Sequence, residues 1–152
     1  MESLLKAIEL CGGSQAGLLM GKHLAGLPSE IVGVPIAFSA DHVRSYVAET
    51  IGKAVGRFGF AIDVPKTIHL LDGYQGVGRA DVDDAELSLV IRMAREEGVM
   101  FDPVYTAKAF GALLDTLQRD PKALGQRVCF IHTGGIFSLF PLREPLTRLL
   151  DS

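Results

Sequence analysis

Hydrophobic positions along this chain follow two rhythms that alternate. Short runs rich in β-branched residues occur at Ile31-Val32-Gly33-Val34, Thr67-Ile68-His69-Leu70-Leu71 and Val128-Cys129-Phe130-Ile131-His132. Flanked by Gly, Pro or Asp, they predict strands. Between them apolar residues recur every three or four positions, the period of a helix. Ala16, Leu19, Met20 and Leu24 mark one helix over Gln15 to Leu24, and Val43, Val47, Ile51 and Val55 a second, with Ser39 or Asp41 as its cap. Leu89, Val90, Met93 and Ala94 mark a third, after Asp83 and Glu86 at capping-box spacing. Ala109, Phe110, Leu113, Leu114 and Leu117 mark a fourth, stopped near Asp120-Pro121. Strands alternating with such helices predict βα units. The expected class is α/β, in three layers, with a mostly parallel sheet and helices on both faces. Leu4, Leu5 and Ile8 have helical spacing with charges between them. Residues 1–10 are therefore expected to be a short helix or loosely packed start, apart from a domain over residues 11–152.

Composition narrows this picture. A chain of 152 residues suits one domain with a respectable core. Apolar residues make up 48% and mean hydropathy is +0.28. No apolar run approaches the roughly 18 residues that span a bilayer, and Glu2, Lys6 and Glu9 are foreign to a signal peptide. The apolar excess predicts a sheet buried on both faces and a surface that meets a partner. A net charge of −3 without a basic cluster argues against nucleic acid. Cys11 and Cys129 give neither a disulfide framework nor zinc spacing, so no metal is expected, and the expected compartment is the cytoplasm.

Candidate chemistry lies in two glycine-rich turns and one tyrosine. Cys11-Gly12-Gly13-Ser14-Gln15-Ala16-Gly17 opens the first helix. Gly12 and Gly13 permit close approach to a ligand and Ser14 adds a hydroxyl, so the turn is either an anion cradle at a helix N-terminus or a plain tight turn. His132-Thr133-Gly134-Gly135 follows the third predicted strand, where the Thr133 hydroxyl can face a crevice and the glycines leave room for a flat ligand. In Asp102-Pro103-Val104-Tyr105-Thr106, Pro103 keeps the chain extended until a helix begins near Thr106. Tyr105 is then held at the sheet edge, for packing or for stacking on a ring. A phosphate at one end of a flat ring, a polar partner at the other and a tyrosine over its face outline a pyridoxal phosphate site, with all three features on one cavity. A Rossmann-type nucleotide site is disfavoured, because Gly12-Gly13-Ser14 lacks G-x-G-x-x-G spacing.

From Cys11 to about Phe140 the chain resembles the D-cysteine desulfhydrase and 1-aminocyclopropane-1-carboxylate deaminase family. These are pyridoxal phosphate enzymes of the tryptophan synthase β-like fold, and the chain is similar to their carboxy-terminal half only. The resemblance rests on Gly12-Gly13-Ser14-Gln15-Ala16-Gly17, on Glu97-Gly98-Val99 leading into Asp102-Pro103-Val104-Tyr105-Thr106-Ala107-Lys108-Ala109, and on Ile131-His132-Thr133-Gly134-Gly135. It implies that Gly12, Gly13 and Ser14 hold the cofactor phosphate, with Gln15 and Ala16 completing the loop. Tyr105 would flank the pyridine ring as the catalytic acid/base or positioning group. Thr133, beside Gly134, would bond the ring nitrogen. Thr106 and Thr133 tilt the comparison from deaminase towards desulfhydrase.

The departures matter as much. Family members are about twice this length, and the part without a counterpart is amino-terminal. It carries the lysine that anchors the cofactor. None of Lys6, Lys22, Lys53, Lys66, Lys108 and Lys122 lies in that lysine's context, and Lys108 reads as a surface helix residue. In Gly73-Tyr74-Gln75-Gly76-Val77-Gly78-Arg79-Ala80, Tyr74 and Arg79 are the substrate-binding candidates; Arg79 either grips a carboxylate or is a solvated loop residue. His69 and His132 read as core or sheet-edge residues. The expected reaction of a complete enzyme takes a small amino acid to a 2-oxo acid and ammonia. The chain alone is expected to be inactive, and a homodimer or higher assembly is expected. The alternative is a non-catalytic remnant that binds anionic ligands or assembles with a partner chain.

Overall fold

A computed structural model of the chain describes residues 5–9, 12–75 and 82–151. Strand β1 (Leu5–Glu9) leads to helix α1 (Gly12–Leu24), β2 (Glu30–Gly33), α2 (Ala40–Phe58) and β3 (His69–Leu70). Helices α3 (Asp84–Glu97) and α4 (Thr106–Arg119), strand β4 (Arg127–Phe130), a 3-10 helix (Ile136–Leu142) and α5 (Arg143–Leu150) follow. The strands form one sheet in the order β3-β2-β1-β4, and every pair is parallel.

Alternation along β2 divides the core. Ile31 packs with Ala16 and Leu19 of α1 and with Val47 and Ile51 of α2. Its neighbour Val32 turns to the other face and packs with Ala109, Ala112 and Leu113 of α4. Successive side chains of a strand point to opposite faces, so α1 and α2 cover one side of the sheet and α4 the other. A third cluster, Val90, Phe101 and Ala107, joins α3 to α4. The three-layer α/β expectation holds.

Capping residues begin the helices where the sequence places them. The Ser39 hydroxyl accepts from His42 N–H at the start of α2. At α3 the Asp83 carboxylate accepts from the N–H groups of Ala85 and Glu86, while Asp83 N–H donates to Glu86 Oε2 at 2.6 Å. This is a complete capping box. The Glu86 side chain and backbone bonds hold the Asp83 carboxyl below its ordinary value, whereas burial raises that of Glu86.

Two expectations are corrected. Residues Leu5–Glu9 are not helical; they form an inner strand hydrogen-bonded to β2 on one side and β4 on the other. Two parallel partners outweigh a short helical apolar spacing, and the charge between is accommodated: Lys6 lies opposite Glu30 in register and its Nζ is 3.1 Å from Glu30 Oε2. Lys108 is not a surface residue, since only 7% of it is exposed. Its charge is felt by Asp83 and Glu86, which places it against the first turn of α3. The 3-10 helix and α5 were not expected, although Leu142, Leu146, Leu149 and Leu150 recur at helical spacing.

Removing Ile51, which has no exposure, leaves a cavity between α2 and the sheet. Ile51→Ala is expected to lower the unfolding free energy by about 2–5 kcal/mol, and Asp83→Ala by about 1 kcal/mol. Urea denaturation measures both; equal losses would contradict the assignment of Ile51 to the core and Asp83 to a cap.

Candidate functional site

All four strands point the same way, so the segments that follow them gather at one edge of the sheet. β1 and β4 are neighbours, with Ile8 opposite Phe130. The first glycine turn and the 132–135 turn therefore leave adjacent strands. Chain order reverses across this pair: β2 and β3 lie to one side of β1 and β4 to the other. In open parallel sheets the crevice at such a switch point is the usual ligand site.

A cavity of about 330 Å³ opens at this edge. Gly12 and Gly13 at the start of α1, the segment from Pro35 to Phe38 after β2, His42 and Tyr46 of α2, and Tyr105 all line it. The first turn of any helix leaves backbone N–H groups without intrahelical partners, and it carries the positive end of the dipole. Gly12 is small for a packing reason: a Cβ there would lie 2.6 Å from Tyr46 Cδ1. Around Gly13 a Cβ would meet nothing within 4 Å. That open space lies beside first-turn amides that have no partner within the helix.

The neighbours of Gly13 are used differently. Ser14 is half-buried and does not line the cavity. Gln15 is fully buried and donates from Nε2 to His69 O at 2.9 Å, bracing β3. Its Oε1 lies against Gly33 and has no hydrogen-bond partner among the described residues. Ala16 belongs to the core. Of Gln15 and Ala16, only the backbone remains available to a ligand. Cys11 and Arg79 lie outside the described residues.

Tyr105 is set in place by Asp102. This fully buried carboxylate accepts from Tyr105 N–H at 2.6 Å, Thr106 N–H at 2.8 Å and the Thr106 hydroxyl at 2.7 Å. Asp102 lies one turn ahead of α4, three residues before its Tyr105 N-cap, and still reaches the N–H of Thr106, the first helical residue. The apolar pattern does not single it out. His42 and Tyr46, also on the cavity wall, carry no local signature. His42 stacks on Phe38 with ring centroids 4.8 Å apart.

The remaining candidates do not reach the cavity. Thr133 is exposed, Gly134 is half-buried, and neither lines it. The turn is tied back instead: Gly134 N–H donates to His132 Nδ1 at 3.0 Å, so the other ring nitrogen, 2.9 Å from Met100 O, is the donor there. Tyr74 packs on the α4 side of the sheet, and its hydroxyl donates to Asp115 Oδ2 at 2.5 Å. Arg119 also pairs with Asp115. Tyr74 is thus a strut between the loop after β3 and α4, and it does not line the cavity. None of the six lysines, all of them described, lines the cavity.

No family model matches the chain. The D-cysteine desulfhydrase of Yersinia pestis is 33% identical over 128 residues, covering 84% of this chain and 38% of that protein. The bifunctional D-cysteine desulfhydrase/1-aminocyclopropane-1-carboxylate deaminase of Arabidopsis thaliana is 28% identical over 143 residues, 93% of this chain and 34% of that protein. A crystal structure of an ACC deaminase homologue superposes with a TM-score of 0.78 at 27% identity, over 95% of this chain and 43% of that one. The chain belongs to this deaminase/desulfhydrase family. It spans about two fifths of the length of the relatives it matches, which fits a carboxy-terminal half. Its small parallel sheet with flanking helices is a partial version of the same α/β fold. Among the described residues no helix is long and apolar enough to cross a membrane.

The hydrogen bond from Tyr74, opposed by partial desolvation and aided by Arg119, holds the Asp115 carboxyl below its ordinary value of 3.8. A carboxylate with a depressed folded value stabilises the fold above its unfolded value, and that contribution is lost as pH falls through the folded one. Tyr74→Phe is therefore expected to raise the Asp115 titration midpoint and to start acid unfolding at higher pH. Carboxyl-carbon NMR titration reads this directly, and an unchanged midpoint would show that Tyr74 is not the cause.

Proposed function

We propose that this chain is the cofactor-binding, carboxy-terminal part of a pyridoxal phosphate-dependent enzyme of the D-cysteine desulfhydrase/ACC deaminase kind, and that by itself it does not turn over substrate. One observation carries this reading. Gly12 and Gly13, at the positive end of α1, share a cavity with Tyr105, and no lysine enters it. The donor set suits the cofactor: free amides for a phosphate ester, space at Gly13 and an aromatic side chain opposite. About 330 Å³ lies at the lower end of the range for small-ligand sites.

The phosphate is held by backbone N–H groups of Gly12 to Ala16, with the Ser14 hydroxyl as an added donor. Tyr105 flanks the ring and is the candidate to hold or move a proton. Thr133, beside Gly134 on the neighbouring turn, is assigned to the ring nitrogen, which requires the ring to extend from the cavity towards β4. Arg79 is assigned to the substrate carboxylate. When bound, pyridoxal phosphate supplies an electron sink for a negative charge at the amino acid's Cα. The substrate class is a small amino acid carrying a leaving group on its β-carbon. For cysteine the balance is amino acid plus water giving pyruvate, sulfide and ammonia. Thr106 and Thr133 favour this elimination over ring opening.

A second reading has its own support. Phe137 and Phe140, on the 3-10 helix after the second turn, are 78% and 75% exposed and lie 6.0 Å apart. Paired aromatic rings left in water suit a chain that assembles with another polypeptide, a second copy or one that brings the lysine.

The test uses pyridoxal phosphate and Gly13→Asp. An acid in the first turn favours the helix, and Gly13 has room for it, so the fold is kept. Repulsion between carboxylate and phosphate is expected to weaken binding about tenfold or more, near 1.4 kcal/mol, by equilibrium dialysis. Unchanged binding would place the phosphate elsewhere. With D-cysteine added, no sustained sulfide is expected from this chain alone; steady release would overturn the inactivity claim.

A further inference from the structure

We propose that Asp102 is a positioning residue that locks Tyr105, on the cavity wall, and the 132–138 turn into one register; the ligand arm of its test rests on the pyridoxal phosphate reading. Its carboxylate is fully buried and serves both segments. On one side Oδ1 accepts from Tyr105 N–H, the backbone of the residue on the cavity wall. On the other the Ser138 hydroxyl, beyond the second glycine turn, lies 3.4 Å from the same oxygen. Gly135 sits directly on the carboxyl group: a Cβ there would be 2.6 Å from Oδ2 and 2.7 Å from Cγ, with φ at +96°. That glycine is needed twice, for its left-handed backbone and for this approach.

Adjacent contacts reinforce the same seam. His132 bonds Met100 O, two residues before Asp102, and its ring lies 5.3 Å from that of Phe101. The loop that carries Tyr105 is therefore fastened to the loop that carries Thr133 along its length. Oδ2 has a separate task, holding Thr106 at the start of α4. One carboxylate thus caps the helix with one oxygen and joins the two loops with the other. A plain helix cap would need neither Ser138 nor the close approach of Gly135.

Three variants separate these roles. Asp102→Asn puts an amide among donors and disturbs both. Thr106→Val removes a hydroxyl from Oδ2 and leaves the Tyr105 link. Ser138→Ala touches only the link to the turn. Misplacing Tyr105 is expected to weaken pyridoxal phosphate binding about tenfold in Asp102→Asn, while Thr106→Val, although less stable to heat, stays within about twofold of wild type. Amide chemical shifts give a reading that needs no ligand. In Asp102→Asn and in Ser138→Ala, the Tyr105 amide and those of residues 133–138 are expected to move together. If Asp102→Asn does not fold, Ser138→Ala alone decides the matter. Shifts confined to one loop, or equal loss of binding in Asp102→Asn and Thr106→Val, would reduce Asp102 to a cap and overturn the proposal. Should wild type fail to bind pyridoxal phosphate, the functional reading falls while the amide shifts still judge the seam.

Discussion

Strand β1 is hydrogen-bonded along both edges, to β2 and to β4, and both pairings are parallel. The rest of the molecule depends on that placement. A parallel neighbour on each side forces the turns after β1 and β4 to the same edge. It also lets α1 start at the carboxyl end of an inner strand, the edge at which open parallel sheets bind ligands. Lys6 would be costly in such a strand without its register partner Glu30.

Helices were easier to read from the residues than this strand was. Three of the four long helices, α2, α3 and α4, combine an apolar stripe with a local start or stop: Ser39, the Asp83–Glu86 box and Asp120-Pro121. Those signals act within a few residues, so they survive without tertiary context. The identity of Leu5–Glu9 is instead decided by strands more than twenty and more than a hundred residues away in the chain, Glu30–Gly33 and Arg127–Phe130. No local rhythm records such pairing. The burial of Lys108 was hidden similarly, because the spacing within α4 does not show which neighbours cover that face.

The site was legible in its backbone parts and less so in its side chains. Gly12, Gly13 and Tyr105 do share a cavity. Tyr74 has the right residue type for a substrate contact, yet its hydroxyl is satisfied by Asp115 on α4. Gln15 likewise spends its amide on β3 rather than on the loop. In each case a polar group in the right stretch of sequence is claimed by a partner distant in sequence. Asp102 is the opposite case: nothing local marks it, and its reach to Ser138 and Gly135 appears only once the loops meet.

On the proposed reading, the chain holds a vitamin B6 phosphate ester at the start of α1 without a lysine to tether it. A crystal structure of the chain soaked with pyridoxal phosphate tests this most directly. The expected map places the phosphate on the amides of Gly12 and Gly13, the ring beside Tyr105, and no bond to any lysine. A phosphate lodged away from α1, or a ring joined covalently to one of the six lysines within that cavity, would contradict it.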